Sequence, residues 1–165
     1  MLSHKKIIIQ NLLTVNLSKS EAEAEFYFLL EALTGLKKKD FLLNPKLKLD
    51  KETEEKLVSL VKRRVEEKIP VQYLVNKAYF MSLAFYVDEN VLIPRPETEI
   101  LVQKAVELAK NFENPKILDI GTGSGCIPCA LAKFISTAEV TTCDISENAI
   151  NVAKKMLKNL MSLKK

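Results

Sequence analysis

Three of the chain's four glycines, Gly121, Gly123 and Gly125, stand within five residues of one another in the stretch "ILDIGTGSGCIP" (117–128). Glycine weakens regular structure by leaving the unfolded chain more freedom, so such a cluster marks backbone that no side chain is allowed to obstruct. A loop that leaves a strand and opens a helix brings a ligand against bare amides and the positive end of the helix dipole. The dinucleotide fingerprint G-x-G-x-x-G would require glycine where this chain has Cys126, so that match is incomplete. The pattern present is D-x-G-x-G-x-G, from Asp119 to Gly125. Asp144 adds a second constraint. It lies 23 residues beyond Gly121, at the end of the next expected strand, where a carboxylate accepts hydrogen bonds from both hydroxyls of a ribose. Loop and carboxylate then share one sheet edge, and a nucleoside cofactor explains both. The plainer alternative is a tight turn followed by an ordinary helix cap, since "ISEN" follows Asp144.

A rival chemistry sits in the same stretch. "CIPC", Cys126 to Cys129, is a C-x-x-C at a helix start, a setting in which a thiol pKa falls and redox chemistry becomes available. A redox site leaves the preceding glycines unexplained, and a zinc site needs more ligands than Cys143 and the distant His4. No metal site is expected, and His4, alone near a terminus, is given no role.

The elements that position these residues follow from periodicity. Lys116–Ile120 and Glu139–Cys143 read as short strands, and Cys126–Phe134 and Glu147–Leu160 as helices. This alternation predicts a parallel sheet with a right-handed crossover. Upstream, "VLIPRPETE" (91–99) brackets Arg95 with two prolines and predicts extended backbone entering a helix near Pro96 or Glu97. That helix is expected to reach about Phe112, with a stripe of Leu101, Ala105 and Leu108 and with Val102 alongside. "KAYFMSLAFYV" predicts a hairpin across 78–87. Residues 1–75 read as a helical bundle. One helix is expected to open with a capping box of Ser20 and Glu23 and to stop at Gly35, presenting Phe26, Leu29, Leu30 and Leu33. Another is expected to be capped by Asp50 and ended before Pro70, with Leu57, Leu60, Val61 and Val65 as its stripe.

Composition bounds the function. A chain of 165 residues, 47% hydrophobic and 28% charged, is globular rather than disordered. Its net charge of +4 comes from lysines spread along the chain, which fits a solvated surface better than a nucleic-acid site. No apolar run approaches the ~18 residues of a membrane span. Gln10 and Asn11 interrupt the apolar stretch that a signal peptide would need. The odd count of three cysteines, without secretory context, predicts a reducing cytoplasm.

"VLIPRPETEILV", "ILDIGTGSGCI" and "VTTCDIS" together resemble the release-factor glutamine methyltransferases of the HemK/PrmC type, and "VKRRVEEKIPVQYL" resembles that family's N-terminal domain. The resemblance covers nearly the whole chain and implies an α/β fold: an N-terminal helical bundle followed by the first half of a doubly wound, Rossmann-like methyltransferase domain dependent on S-adenosylmethionine. It implies a helical substrate-recognition domain over 1–75, a β-hairpin linker over 76–93 and a partial methyltransferase domain over 94–165. It implies a cofactor site of Asp119, Gly121, Thr122, Gly123 and Gly125, with Asp144 on the ribose and Ile145 beside the adenine, and a substrate pocket of Pro94, Arg95, Pro96, Glu97 and Thr98. Taken alone, the latter segment is also explained as a rigid interdomain connector with a helix start.

The chain departs from the family pattern in three ways. Asn76 stands where a turn glycine is usual, and Met156 where asparagine is common. The Asn-Pro-Pro-Tyr acceptor motif does not occur in these 165 residues. The expectation is therefore a truncated form without catalytic residues of its own, because an amide nitrogen is a poor nucleophile and needs carbonyl acceptors to hold it in line with the methyl carbon. The implied partner is a peptide chain release factor, with no direct nucleic-acid or membrane contact and a cytoplasmic location. The alternatives are a noncatalytic release-factor-binding module and a related ribosomal-protein glutamine methyltransferase.

Overall fold

The computed structural model describes residues 5–44 and 46–162, with side chains to residue 157. His4 lies outside the described residues. The chain divides into two compact units, Met1–Val75 and Asn76–Lys165.

The first unit is helical: α1 (Lys5–Leu13), α2 (Lys19–Thr34), α3 (Lys38–Leu43), α4 (Lys51–Glu66) and the single turn α5 (Val71–Leu74). Its core is Leu12, Phe26, Leu29, Leu30, Leu57, Val61 and Val71, with Leu33, Leu60 and Val65 packed at the margin. The α2 capping box lies two residues earlier than expected. Ser18 Oγ accepts from Glu21 N–H at 3.3 Å and Glu21 Oε2 accepts from Ser18 N–H at 2.8 Å. Both S-x-x-E registers satisfy the polar motif, and the apolar neighbours separate them. With Ser18 as cap, Leu17 precedes the cap and Ala22 occupies the fourth helical position, and both reach the core as a hydrophobic staple does. Gly35 ends α2 in the left-handed conformation at φ 74°, and Asp50 caps α4 through Thr53 N–H.

A bidentate ion pair ties α2 to α4. Arg64 of α4 forks onto Glu25 of α2, Nε to Oε2 at 2.9 Å and Nη2 to Oε1 at 3.0 Å, with side chains only 12% and 17% exposed. A bidentate, largely desolvated pair is costly to break from one side because the remaining charge loses its partner. Glu25→Ala should lower the stability of the helical unit by about 2 kcal/mol, read as an earlier urea transition in far-ultraviolet circular dichroism. Replacing both residues with apolar ones should recover most of that loss. An unchanged transition in the single variant would show that the pair contributes nothing.

The second unit holds two separate two-stranded sheets. β1 (Ala78–Phe80) and β2 (Leu83–Phe85) form the antiparallel hairpin. Its turn places Met81 and Ser82 at φ 50° and 62°, and Glu99 Oε1 accepts the Met81 N–H at 2.7 Å. Asn76 takes φ 50°, the conformation for which glycine is usual, and donates its side-chain amide to Val87 O at 3.0 Å. Then follow α6 (Pro96–Ala109), β3 (Lys116–Ile120), α7 (Cys126–Phe134), β4 (Glu139–Cys143) and α8 (Glu147–Ser162). β3 and β4 pair in parallel, Lys116 opposite Glu139 through Ile120 opposite Cys143.

α6 corrects the expected stripe. Val102 and Ala109 are buried, with Ala105 and Val106 half-buried, whereas Leu101 and Leu108 are exposed. The helix carries two adjacent apolar faces, so periodicity does not select between them. The face with the alanines is the one packed into the core shared with α7, since small side chains permit close helix approach. The helix also stops at Ala109, short of Phe112. Met156 is buried in the same core, and its Sδ accepts the Tyr86 N–H at 3.0 Å. On the strands, Ile117 and Val140 face this core while Leu118 and Ile120 are exposed, so one face of the parallel pair is covered and the other is open.

Candidate functional site

The expected cofactor residues converge at the C-terminal edge of β3 and β4. As the chain leaves β3, the N–H groups of Gly121 and Thr122 both donate to Cys143 O, at 2.9 and 3.1 Å, which fastens the loop to the end of β4. Gly121, Gly123 and Gly125 take φ of 82°, 54° and 77°. A Cβ added at Gly121 or Gly123 would meet open space, whereas one at Gly125 would meet Ala153 Cβ at 3.0 Å. The glycines therefore serve different ends: the first two keep the loop surface bare, and the third lets α7 begin against α8. Gly125 caps α7 in the left-handed conformation, and Pro128 sits in the first turn, where its missing N–H costs no intrahelical bond.

Asp144 closes the far side. Its Oδ2 accepts the Gly123 N–H at 2.8 Å and its Oδ1 accepts the Ser146 N–H at 2.9 Å. Those two amides, Ser146 first, hold the carboxyl below the usual carboxylate value. The α8 capping hydrogen bond comes from Ser146, whose Oγ accepts from Ala149 N–H at 3.2 Å, so Asp144 is not itself the helix cap. Ile145 is fully exposed beside it. Asp119, on β3, receives a hydrogen bond from Thr142 Oγ1 on its Oδ2 at 3.0 Å. Thr122 is only 4% exposed, and its Oγ1 is the one buried side-chain oxygen or nitrogen among the described residues without a hydrogen-bond partner. A hydroxyl left so costs about 1–3 kcal/mol, and it lies in the same loop as the open glycines.

Open space over two glycines, an orphaned buried hydroxyl and a half-buried carboxylate thus lie together at one sheet edge, leaving room and polar groups for a bound ligand.

The expected substrate-pocket residues occupy the entry to α6. Arg95 is extended at φ −100° and ψ 142°, Pro96 is the first helical residue, and Thr98 N–H donates to Arg95 O at 3.0 Å. Arg95, Pro96 and Glu97 are exposed, and Pro94 and Thr98 are half-buried. Among the described residues no hydrogen bond joins this segment to the glycine loop. Sequence reasoning missed Thr142, which the strand register sets opposite Asp119, and Glu99, which accepts the Met81 N–H; both contacts join residues distant in sequence and leave no local signal.

The thiol pair does not support redox chemistry. Cys126 and Cys129 are 7% and 1% exposed. Burial raises the Cys126 thiol above its ordinary value and pushes Cys129 up to about 12, aided by Cys126 beside it. Neither supplies a thiolate near neutral pH. Cys143 alone is exposed. One of the three thiols should therefore react rapidly with a disulfide reagent in the native chain, and all three after unfolding. Rapid native labelling of Cys129, mapped by mass spectrometry, would contradict this. Among the described residues no group of three or more His, Cys, Asp or Glu side chains is placed to hold a metal, and no helix is long and apolar enough to cross a membrane.

Residues 11–75 match the PrmC N-terminal domain and residues 96–163 the methyltransferase small domain. The chain is 44% identical over 140 residues to a release factor glutamine methyltransferase of Flavobacterium psychrophilum, covering 83% of this chain and 49% of that protein. It is 42% identical to the one of Gloeobacter violaceus, covering 79% and 45%, and 40% identical to that of Streptococcus pneumoniae, covering 84% and 49%. The chain spans about half the length of the curated relatives it matches.

Proposed function

We propose that the chain carries the cofactor half of a release factor glutamine methyltransferase, as its likeness to those proteins over the length it shares with them supports, with S-adenosylmethionine as methyl donor. The observation that carries this reading is the joining of the glycine loop to Asp144, Gly123 N–H to Oδ2 at 2.8 Å, on one edge of a parallel pair. When bound, the cofactor supplies a methyl group on a sulfonium, already a good leaving group. The chain's own residues bind and orient. Gly121 and Gly123 leave room for close approach, and Thr122 offers its hydroxyl. Asp119 meets the amino-acid end, Asp144 the ribose and Ile145 the adenine, and Gly125 keeps α7 aimed at the loop. Pro94, Arg95, Pro96, Glu97 and Thr98 line the approach of the acceptor.

The acceptor is the glutamine side chain of a peptide chain release factor, and the helical unit helps to grip that protein. This reading places the chain in the cytoplasm and involves neither direct nucleic-acid contact nor a membrane. A polypeptide of these 165 residues alone lacks the Asn-Pro-Pro-Tyr carbonyls that would hold an amide nitrogen in line. It is therefore expected to bind cofactor without transferring the methyl group. The test offers methyl-labelled S-adenosylmethionine and, separately, a release factor and ribosomal proteins to two preparations, the 165-residue polypeptide and the protein isolated from its own source. The expected result is label on a release-factor glutamine with the isolated protein only. Transfer by the polypeptide alone would sink the need for further acceptor residues, and label on a ribosomal protein would favour the related enzyme.

A further inference from the structure

Asp119 and Thr142 stand directly opposite each other in the parallel register of β3 and β4, on the face that carries Ile117 and Val140. The Thr142 hydroxyl donates to Asp119 Oδ2 at 3.0 Å, and among the described residues Asp119 Oδ1 has no hydrogen-bond partner. A carboxylate on a short side chain turns about two bonds, and one fixed oxygen sets the direction of the other. The strand pairing fixes Thr142, so its hydroxyl occupies one carboxylate oxygen and leaves the other available at the sheet edge. Immediately beyond lies the loop with open space over Gly121 and Gly123 and the unpartnered Thr122 hydroxyl.

We propose that Thr142 is a positioning residue: by holding Asp119 Oδ2 it directs Oδ1 at a cationic ammonium, the α-amino group of the cofactor's amino-acid end. The proposal rests on the cofactor reading above and adds a division of labour within that site. Thr142 and Asp119 act on the amino-acid end, and Asp144 and Ile145 act on the nucleoside end. Valine matches threonine in shape and removes only the hydroxyl, so the two ends are separable by choice of ligand.

The experiment titrates the 165-residue chain by calorimetry with two probes, S-adenosylhomocysteine, which carries the ammonium, and 5′-methylthioadenosine, which lacks the amino-acid end. Thr142→Val should weaken the first about 10-fold and the second less than about 2-fold, the size expected for a hydrogen bond to a charged group that steers an ion pair. Thr142→Ser should return the first to within about 3-fold of the parent, since serine keeps the hydroxyl. In an Asp119→Asn background, Thr142→Val should change nothing further. Equal weakening of both ligands, or none, would overturn the proposal, because a merely structural threonine does not distinguish them. Should Thr142→Val fail to fold, Asp119→Asn must show the same selectivity or the proposal falls. Binding of neither probe by the unsubstituted chain would overturn the cofactor reading and this proposal with it, whereas binding of both without selectivity in the variants would overturn this proposal alone.

Discussion

Gly125→Ala should destabilise the second unit by about 2–5 kcal/mol, combining overpacking with left-handed strain. The backbone there is at φ 77°, and an added methyl would lie 3.0 Å from Ala153 Cβ and 3.2 Å from Ala153 Cα. Ala153 is buried, and its Cα belongs to the α8 backbone, so neither atom yields as the end of a flexible side chain would. The helices must separate or α7 must start elsewhere, and either change moves the loop that α7 opens. Urea unfolding of the variant should show the loss. Ala153→Gly in the same chain should recover part of it by removing the clash with Cβ, while the strain at φ and the contact with Cα persist. Gly121→Ala supplies the contrast. It meets open space, so it should fold at a smaller cost from its φ of 82° alone, yet place a methyl where a ligand is to lie. A Gly125→Ala chain as stable as its parent would contradict the packing described between α7 and α8.

With Asp144 on the ribose as proposed, Asp144→Ala should weaken S-adenosylhomocysteine roughly 10- to 100-fold, through the lost hydrogen bonds and the loop amide it releases. In the parent the carboxylate spans the Gly123 and Ser146 amides, so its loss frees both the glycine loop and the turn into α8. Asp144→Asn separates these roles, because it keeps one acceptor oxygen but not the charge or the second acceptor, and should fall between parent and alanine. The pH dependence follows from the direction of the shift. The folded carboxyl lies below its ordinary value of 3.8, so the stabilisation it gives is complete above that value and is lost only as pH falls through the lower folded value. Affinity should therefore stay level on this account from about pH 8 to about pH 5, since Asp144 remains ionised throughout. A steep loss of affinity between those limits, absent in the alanine variant, would show that the carboxylate titrates within them.

Much of the candidate site's local geometry was legible because its constraints are local in sequence. Three left-handed glycines and an aspartate at the end of the next strand carry their geometry with them, and the bounds of β3, α7 and β4 coincide with the expected ones. What escaped depended on tertiary choice. Ser18 and Ser20 offer the same polar cap, and only the burial of Leu17 and Ala22 selects the first. The two apolar faces of α6 score alike by periodicity, and the core takes the one with small residues. The hydroxyl of Thr142 gains its meaning from strand register, which periodicity does not fix. The C-x-x-C pair illustrates the opposite hazard: a motif with a reactive reading has both thiols buried in a packed interior.

A cofactor site at the edge of β3 and β4 is tested by an amide-correlation NMR titration of the 165-residue chain with S-adenosylhomocysteine. The signals expected to move most are those of Gly121 to Gly125 and of Asp144 to Ser146, with the helices of the first unit little affected. Saturable shifts confined to the first unit, or none at all, would contradict a cofactor site at the edge of β3 and β4.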